Sequence, residues 1–376
     1  MPWSTNTVSE LRTAFVHAVR TAGRSVTQAA KDFNIARKTA YKWLARFDDQ
    51  QALGDRSRAP HRSPRRTDEA LEAAVLAVRD QFGWGPRKIV AYLKSQDRPT
   101  PPVRTAAAIL RRHNRIAPAP ASTPEELQRF ERPQPNQLWQ LDFKGFVEIN
   151  RQRIYPLTVL DDHSRFLLAL RCCTDQTYIS AWNVLWDAMG EYGLPDQLLC
   201  DNAFGTHGRE APGLSWFEAR LIRLGIRPIH GRAYHPQTQG KIERLHGTLE
   251  RELFPRLSHD ALAPFQAGLD QWRRCVYNAL RPHEALGDVA PVCRWRPSPR
   301  ARPCALPVIE YPSGSTLRRV ASAGEIRWRN AKVLAGHGLV GEWIRIEEMD
   351  GAVALWYGPH RLRQIPLDRF RNPGLL

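Results

Sequence analysis

The hydrophobic period changes twice between residues 138 and 230, and that change sets the fold of this chain. LWQLDFKGFVEI (138–149), RIYPLTVLDD (153–162) and RFLLALRCC (165–173) alternate as half-buried strands do. Short turn-forming segments separate them, which predicts three consecutive strands in an antiparallel meander. YISAWNVLWDAMGEY (178–192) then shifts to helical spacing and stops at Gly193 and Pro195. A short strand, QLLC, ends before Asp201, and a helix (WFEARLIRLG) and a strand (IRPIH) follow. Strands first, then strand and helix in alternation, predict one mixed five-stranded sheet with helices packed on it.

The segments before this core read as all-α. TVSE (7–10) and SVTQ (25–28) have the capping-box pattern and open two helices. The first would turn Leu11, Phe15, Ala18 and Val19 inward. A third helix, 36–47, would bury Ala40, Trp43, Leu44 and Phe47 and expose Arg37, Lys38, Lys42 and Arg46. A short helix, a tight turn at Asn34-Ile35 and a basic helix form a helix-turn-helix over 1–52, whose second helix suits the major groove of DNA. The bland alternative is a three-helix bundle with a solvated basic face. LGDRSRAPHRSPRR supplies a basic linker (53–66) in which Arg62, Arg65 and Arg66 could track phosphates. A second such unit over 67–116 ends in VRTAAAILRRHN, with Arg104, Arg111 and Arg112 on its basic helix. A Pro/Ala/Gln connector (117–134) leads to the α/β core with a helical extension (135–300). Alternating runs between glycine turns predict a small C-terminal β-barrel (301–376).

Charge narrows the partners. The 376 residues carry a formal net charge of +17, and residues 1–114 hold 21 Lys and Arg against 10 Asp and Glu. A polyanion is the expected partner. No apolar run approaches membrane-spanning length and no signal-peptide pattern stands out, so a soluble, cytoplasmic, nucleoid-associated protein is expected. Six scattered cysteines form neither a CxxC nor a zinc-finger set and read as reduced thiols.

Acidic residues in so basic a chain call for an explanation. Asp142 sits inside a strand with Leu138 and Gln140, opposite the face of Trp139, Leu141 and Phe143. Asp201 lies at a strand end, where open α/β sheets present functional groups. HPQTQGKIERLHGTLEREL (235–253) opens as a turn and continues as a helix. On a helical wheel Ile242, Leu245, Leu249 and Leu253 form a seam toward the sheet. Lys241, Arg244, Thr248 and Arg251 form a basic stripe, and Glu243, His246 and Glu250 an acidic flank. Carboxylates brought together need a counter-charge, and hard Mg2+ suits their oxygens. Two such ions serve phosphoryl transfer. The wheel leaves Glu243 and Glu250 as alternatives, with Glu252 read as solvated. Asp161-Asp162 reads as a turn between strands.

In this order, LWQLDFKG, LTVLDDHSRF, LCDNAFG, HPQTQGKIERLHGTLERE and YNALRPHEALG resemble the motifs of insertion-sequence transposases with a retroviral-integrase-type core. The resemblance spans roughly 130–295. It implies an RNase H-like core whose DDE triad and metal ligands are Asp142, Asp201 and Glu243. It also implies two Mg2+ ions, with Mn2+ able to substitute, and Lys241 and Arg244 holding DNA. Such enzymes cut element ends with water and join the freed 3′-hydroxyl to target DNA with no covalent protein intermediate. Synapsis of two ends implies at least a homodimer. A transposase-derived DNA-binding protein without catalysis is the alternative. The 41 residues between Asp201 and Glu243 exceed the usual interval, and THGREAPGLSW (206–216) is placed to hold the surplus as a loop.

Overall fold

The computed structural model describes residues 7–55, 67–116, 131–201, 214–230 and 240–371. The chain divides into two compact units, Met1–Thr67 and Asp68–Leu376. The linker arginines Arg62, Arg65 and Arg66, and most of the surplus stretch 206–216, lie outside the described residues.

In the first unit, α1 (Val8–Arg20), α2 (Val26–Asp32) and α3 (Arg37–Asp48) enclose Phe15, Val16, Ala29, Ala30, Ala40, Trp43 and Leu44. Thr7 forms the full capping box with Glu10. Ser25 makes only half of one, because the Gln28 side chain donates to Asp32 instead. Two inward assignments fail: Leu11 and Phe47 are exposed. The buried stripe of α1 runs through Phe15 and Val16, and that of α3 through Ala40, Trp43 and Leu44. Arg12 and Arg46 lie over the Trp43 ring at 3.9 and 4.7 Å. Asn34 takes the left-handed conformation at the turn, with φ 50°.

The second unit begins with a bundle of α4 (Glu69–Phe82), α5 (Pro86–Ser95) and α6 (Val103–Arg112) around Val75, Val78, Trp84, Ile89, Leu93, Ile109 and Leu110. The central sheet follows: β1 (Trp139–Phe143), β2 (Val147–Ile149), β3 (Gln152–Asp161) and β4 (Leu167–Cys173), then α7 (Tyr178–Tyr192), β5 (Gln197–Cys200), α8 (Trp216–Arg223) and β6 (Arg227–His230). β3 pairs antiparallel with β4 and β1, while β1 pairs parallel with β5, and β5 with β6. The sheet is mixed as expected but has six strands. The run 138–149 breaks at Gly145 (φ 86°) into β1 and the three-residue β2, which forms a hairpin with the start of β3.

Alternation sorts the two faces. Trp139, Leu141, Leu157 and Val159 meet α7 and α8 on one side. On the other, Ile154, Leu160, Leu167 and Leu170 meet Ile242, Leu245, Leu249 and Leu253. That leucine seam belongs to α9 (Gly240–Thr248), a π turn (Leu249–Leu253) and a short 3-10 turn, followed by α10 (Leu262–Gln271) and a second π turn (Trp272–Asn278). Gly193 ends α7 at φ 83°, and a Cβ there would meet the Ser298 carbonyl oxygen at 2.7 Å. The sharp stop and the close passage of the following segment both require glycine.

The C-terminal part is mainly β, and among the described residues its sheets do not close into the expected barrel. β7 (Thr316–Arg319), β10 (Trp343–Met349), β11 (Ala352–Tyr357) and β12 (His360–Pro366) form an open antiparallel sheet. β8 (Glu325–Trp328) and β9 (Ala331–Leu334) form a separate hairpin. Leu214, Ala219 and Ile222, at and within α8, pack into the shared core.

No helix among the described residues is long and apolar enough to cross a membrane. All six cysteines are free; Cys173 and Cys200 are buried and Cys172 half-buried, while Cys275, Cys293 and Cys304 are exposed. Burial pushes the Cys172 and Cys173 thiols up to about 12 and 11 and raises Cys200 as well. A thiol reagent is therefore expected to label the three exposed cysteines rapidly in the native chain and the three inner ones only on unfolding. Mass mapping of labelled peptides checks this, and rapid labelling of Cys200 would contradict it.

Candidate active site

The last parallel pair between β1 and β5 is Leu141 with Cys200. Asp142 and Asp201 are the next residues of each strand. Both therefore leave the sheet side by side, at neighbouring strands spaced about 5 Å apart. Leu141 and Cys200 point into the α7 face, so the aspartates belong to the opposite one, where α9 packs. Glu243 stands in the first turn of α9, exposed, with Ile242 and Leu245 anchoring the helix to the sheet.

The three carboxylates share one field. Burial raises the Asp142 carboxyl to about 6, the charge of Asp201 adds to it, the Phe143 backbone N–H opposes it, and Glu243 contributes again in the raising direction. Glu250 is directed elsewhere: its Oε1 lies 2.7 Å from the Lys144 ammonium, which lowers its carboxyl. Among the described residues no three His, Cys, Asp or Glu side chains form a ready-made metal cage. The donor chemistry nevertheless fits a hard divalent cation, because an ion at this edge would relieve the mutual repulsion that burial intensifies.

A polar layer surrounds the site. The Thr158 hydroxyl donates to the Asp142 carbonyl at 3.0 Å and lies 2.9 Å from His246 Nε2. Burial, aided by Lys144, lowers His246 to about 4, so the ring is neutral. Behind Asp201, His230 Nε2 meets Glu218 Oε1 at 2.7 Å. That hydrogen bond raises His230 against its burial, and the Asp201 backbone also accepts from the ring. Glu218 closes a capping box with Ser215 at the start of α8. The sequence placed His246 on the acidic flank but gave no sign of Thr158, buried in an apolar strand, nor of the Glu218–His230 pair.

The Asp161-Asp162 turn is structural. Asp161 accepts from Asn136 N and from Ser164 N and Oγ, and Asp162 accepts from Arg132 N and Gln140 Nε2. Lys241, expected to hold DNA, is ion-paired with buried Asp162. Arg244 and Arg251 are exposed, as are Arg37, Lys38, Lys42, Arg104 and Arg111. Arg46 is half-buried and donates to the Gly54 carbonyl, and Arg112 pairs with buried Glu72.

Glu252 overturns its assignment as a solvated residue. It is buried, accepts from Arg281 Nε and Nη2 at 2.8 Å each, and accepts from Trp84 Nε1 of the helical bundle at 3.1 Å. Lys88 Nζ is 3.5 Å away, but burial and Arg281 depress that ammonium, so Arg281 is the main partner. The RPH segment (281–283) thus joins the core to the bundle.

Family models match the N-terminal helices and the central core. Those for an Integrase core domain match residues 132–236 and 224–291, a Homeodomain-like domain matches 39–110, and a Helix-turn-helix domain matches 12–61. The Gag-Pro-Pol polyprotein of Squirrel monkey retrovirus is 32% identical over 149 residues, 39% of this chain but only 7% of the polyprotein. The Insertion element IS476 uncharacterized 39.2 kDa protein of Xanthomonas euvesicatoria is 28% identical over 159 residues, 42% of this chain and 43% of that protein. Among solved structures, a chain of the simian T-cell lymphotropic virus intasome aligns with a TM-score of 0.38 and 18% identity, covering 78% of this chain and 96% of that one. The HTLV-2 integrase catalytic core domain in complex with magnesium aligns with a TM-score of 0.32 and 19% identity, covering 43% and 97%.

Proposed function

We propose, from the premise that this chain carries an integrase core of the DDE transposase and integrase family, that it is a DNA transposase. It binds the ends of its element, hydrolyses a phosphodiester there, and joins the freed 3′-hydroxyl to target DNA. The observation that carries this reading is the placement of Asp142 and Asp201 on neighbouring parallel strands, on the sheet face where α9 brings Glu243; the raised Asp142 carboxyl agrees with it. Those three side chains would hold divalent Mg2+, or Mn2+ in its place. When bound, the metal pair supplies charge stabilisation to the attacking and leaving oxygens. In the first step a water oxygen bonds to phosphorus and the strand leaves as a 3′-hydroxyl. In the second, that hydroxyl's oxygen bonds to a target phosphorus and displaces the target's own 3′-oxygen. No protein atom becomes bonded to DNA. Bringing two ends together calls for at least two copies of the chain.

A short duplex carrying the element's end, the purified protein and Mg2+ test this. Cleavage and strand joining are expected, both abolished by chelator. A covalent protein–DNA adduct would refute the mechanism, and binding without cleavage under any divalent metal would favour a non-catalytic DNA-binding relic.

The exposed cations of α3 are assigned to phosphates and bases of the end. Replacing Arg37, Lys38 and Lys42 with Gln is expected to weaken end binding and to flatten its salt dependence by about 0.9 log unit for each phosphate no longer neutralised. Fluorescence anisotropy across a salt series measures the slope; an unchanged slope would remove α3 from the interface.

A further inference from the structure

We infer that His246 is a positioning residue for the metal site, acting through the Thr158 hydroxyl; this rests on the function proposed above. Thr158 has one hydroxyl proton, and it goes to the Asp142 carbonyl, 3.0 Å away. His246 Nε2, 2.9 Å from the same oxygen, must therefore be the donor, whatever happens at the other ring nitrogen. This fixes a chain of two hydrogen bonds from α9, through β3, to the peptide of Asp142 on β1. His246 stands three residues after Glu243 on α9, so the two share a helix face. The tie sets the rotation of α9 against β1, and with it the approach of Glu243 to Asp142.

The other ring nitrogen, His246 Nδ1, lies 3.9 Å from Asp142 Oδ2, beyond hydrogen-bond reach, so the ring acts on the site through the Thr158 hydroxyl. Thr158 is fully buried and His246 is mostly so, so water does not readily replace either link.

Isosteric substitution separates the two ring nitrogens. A glutamine side chain places a donor near the Nε2 position, and an asparagine places a polar group near Nδ1 only. Mn2+ uptake by the full chain without DNA, followed by electron paramagnetic resonance, reads the site independently of turnover. His246→Asn and Thr158→Val are expected to weaken Mn2+ binding by about tenfold to a hundredfold, the usual cost of losing a supporting partner. His246→Gln and Thr158→Ser are expected to stay close to the parent. The pair Thr158→Val with His246→Asn is expected to lose no more than either alone, because both cut one chain. Melting temperatures identify any variant that fails to fold, and the Asn-against-Gln comparison still decides if Thr158→Val does. Full affinity in His246→Asn with loss in His246→Gln would overturn the inference and make Nδ1 a direct ligand. Unchanged affinity in all four variants would also overturn it. No Mn2+ uptake by the parent chain would defeat the proposed function and this inference together.

Discussion

Asp142→Asn is expected to abolish strand cleavage and joining by on the order of a thousandfold or more, leave end binding intact, and raise the melting temperature of the metal-free protein. The amide keeps the size and the place in β1 but cannot supply an anionic oxygen to a cation. The stability change follows from the same carboxyl. Its folded value, about 6, lies above the unfolded value of 3.8, through burial first and Asp201 next. A raised carboxyl favours the folded state while protonated. That contribution is complete below the unfolded value and is lost as pH rises through about 6. At neutral pH the charged Asp142 therefore opposes folding of the metal-free chain, and the neutral amide relieves it. The gain should disappear near pH 4, and saturating Mg2+ should reverse the order by stabilising only the parent. Differential scanning fluorimetry at pH 4 and pH 7.5, with and without Mg2+, checks all three. A variant that melts lower than the parent at pH 7.5 without metal would contradict the electrostatic reading of the site.

Arg281→Ala is expected to destabilise the larger unit by about 3–5 kcal/mol, because it removes the main partner of a buried charge and leaves Glu252 with Lys88 and Trp84 alone. Glu252 is 9% and Arg281 6% exposed at the side chain, so solvent screens their pairing little. Burial pushes the Glu252 carboxyl up, but the hydrogen bonds and charge of Arg281, with Lys88 and Trp84, outweigh it and leave the group below its ordinary value. The pairing therefore stabilises the fold above the unfolded value of 4.5 and is lost as pH falls through the lower folded one. Replacing both residues with Met should regain most of the loss, since two apolar side chains leave no charge unpaired. Chemical denaturation of single and double variants measures it. A single Arg281→Ala loss of under about 1 kcal/mol, the range of exposed pairs, would show that the joint is solvated.

Much of this design is legible in residue order because period and face obey local rules. The seam of Ile242, Leu245, Leu249 and Leu253 follows from helical spacing, and the side on which Asp142 emerges follows from strand alternation. The limits of α7 follow from Thr177 before it and Gly193 after it. What escaped depends on geometry that spacing does not encode. Glu252 looked solvated because it stands among lysine and arginine, but its partners, Trp84 and Arg281, are distant in sequence and nothing local announces them. The described strands of the C-terminal part stay open where a barrel was expected, and nothing in their spacing announces that residues at and within α8 join their core. Lys241 looked like a free cation because nothing local announces Asp162, 79 positions away, as its partner. The choice between Glu243 and Glu250 also lay beyond the wheel. It rested on motif resemblance, to which the structure adds the field of Glu243 at Asp142 and the pairing of Glu250 with Lys144.

The assignment of Glu243 over Glu250 has a direct test. Joining of a labelled element end to target DNA in Mg2+, measured side by side for Glu243→Gln and Glu250→Gln at matched DNA occupancy, tests it in one reaction. No joined product is expected with Glu243→Gln, and near-parental product with Glu250→Gln. Product surviving in Glu243→Gln and vanishing in Glu250→Gln would contradict the assignment.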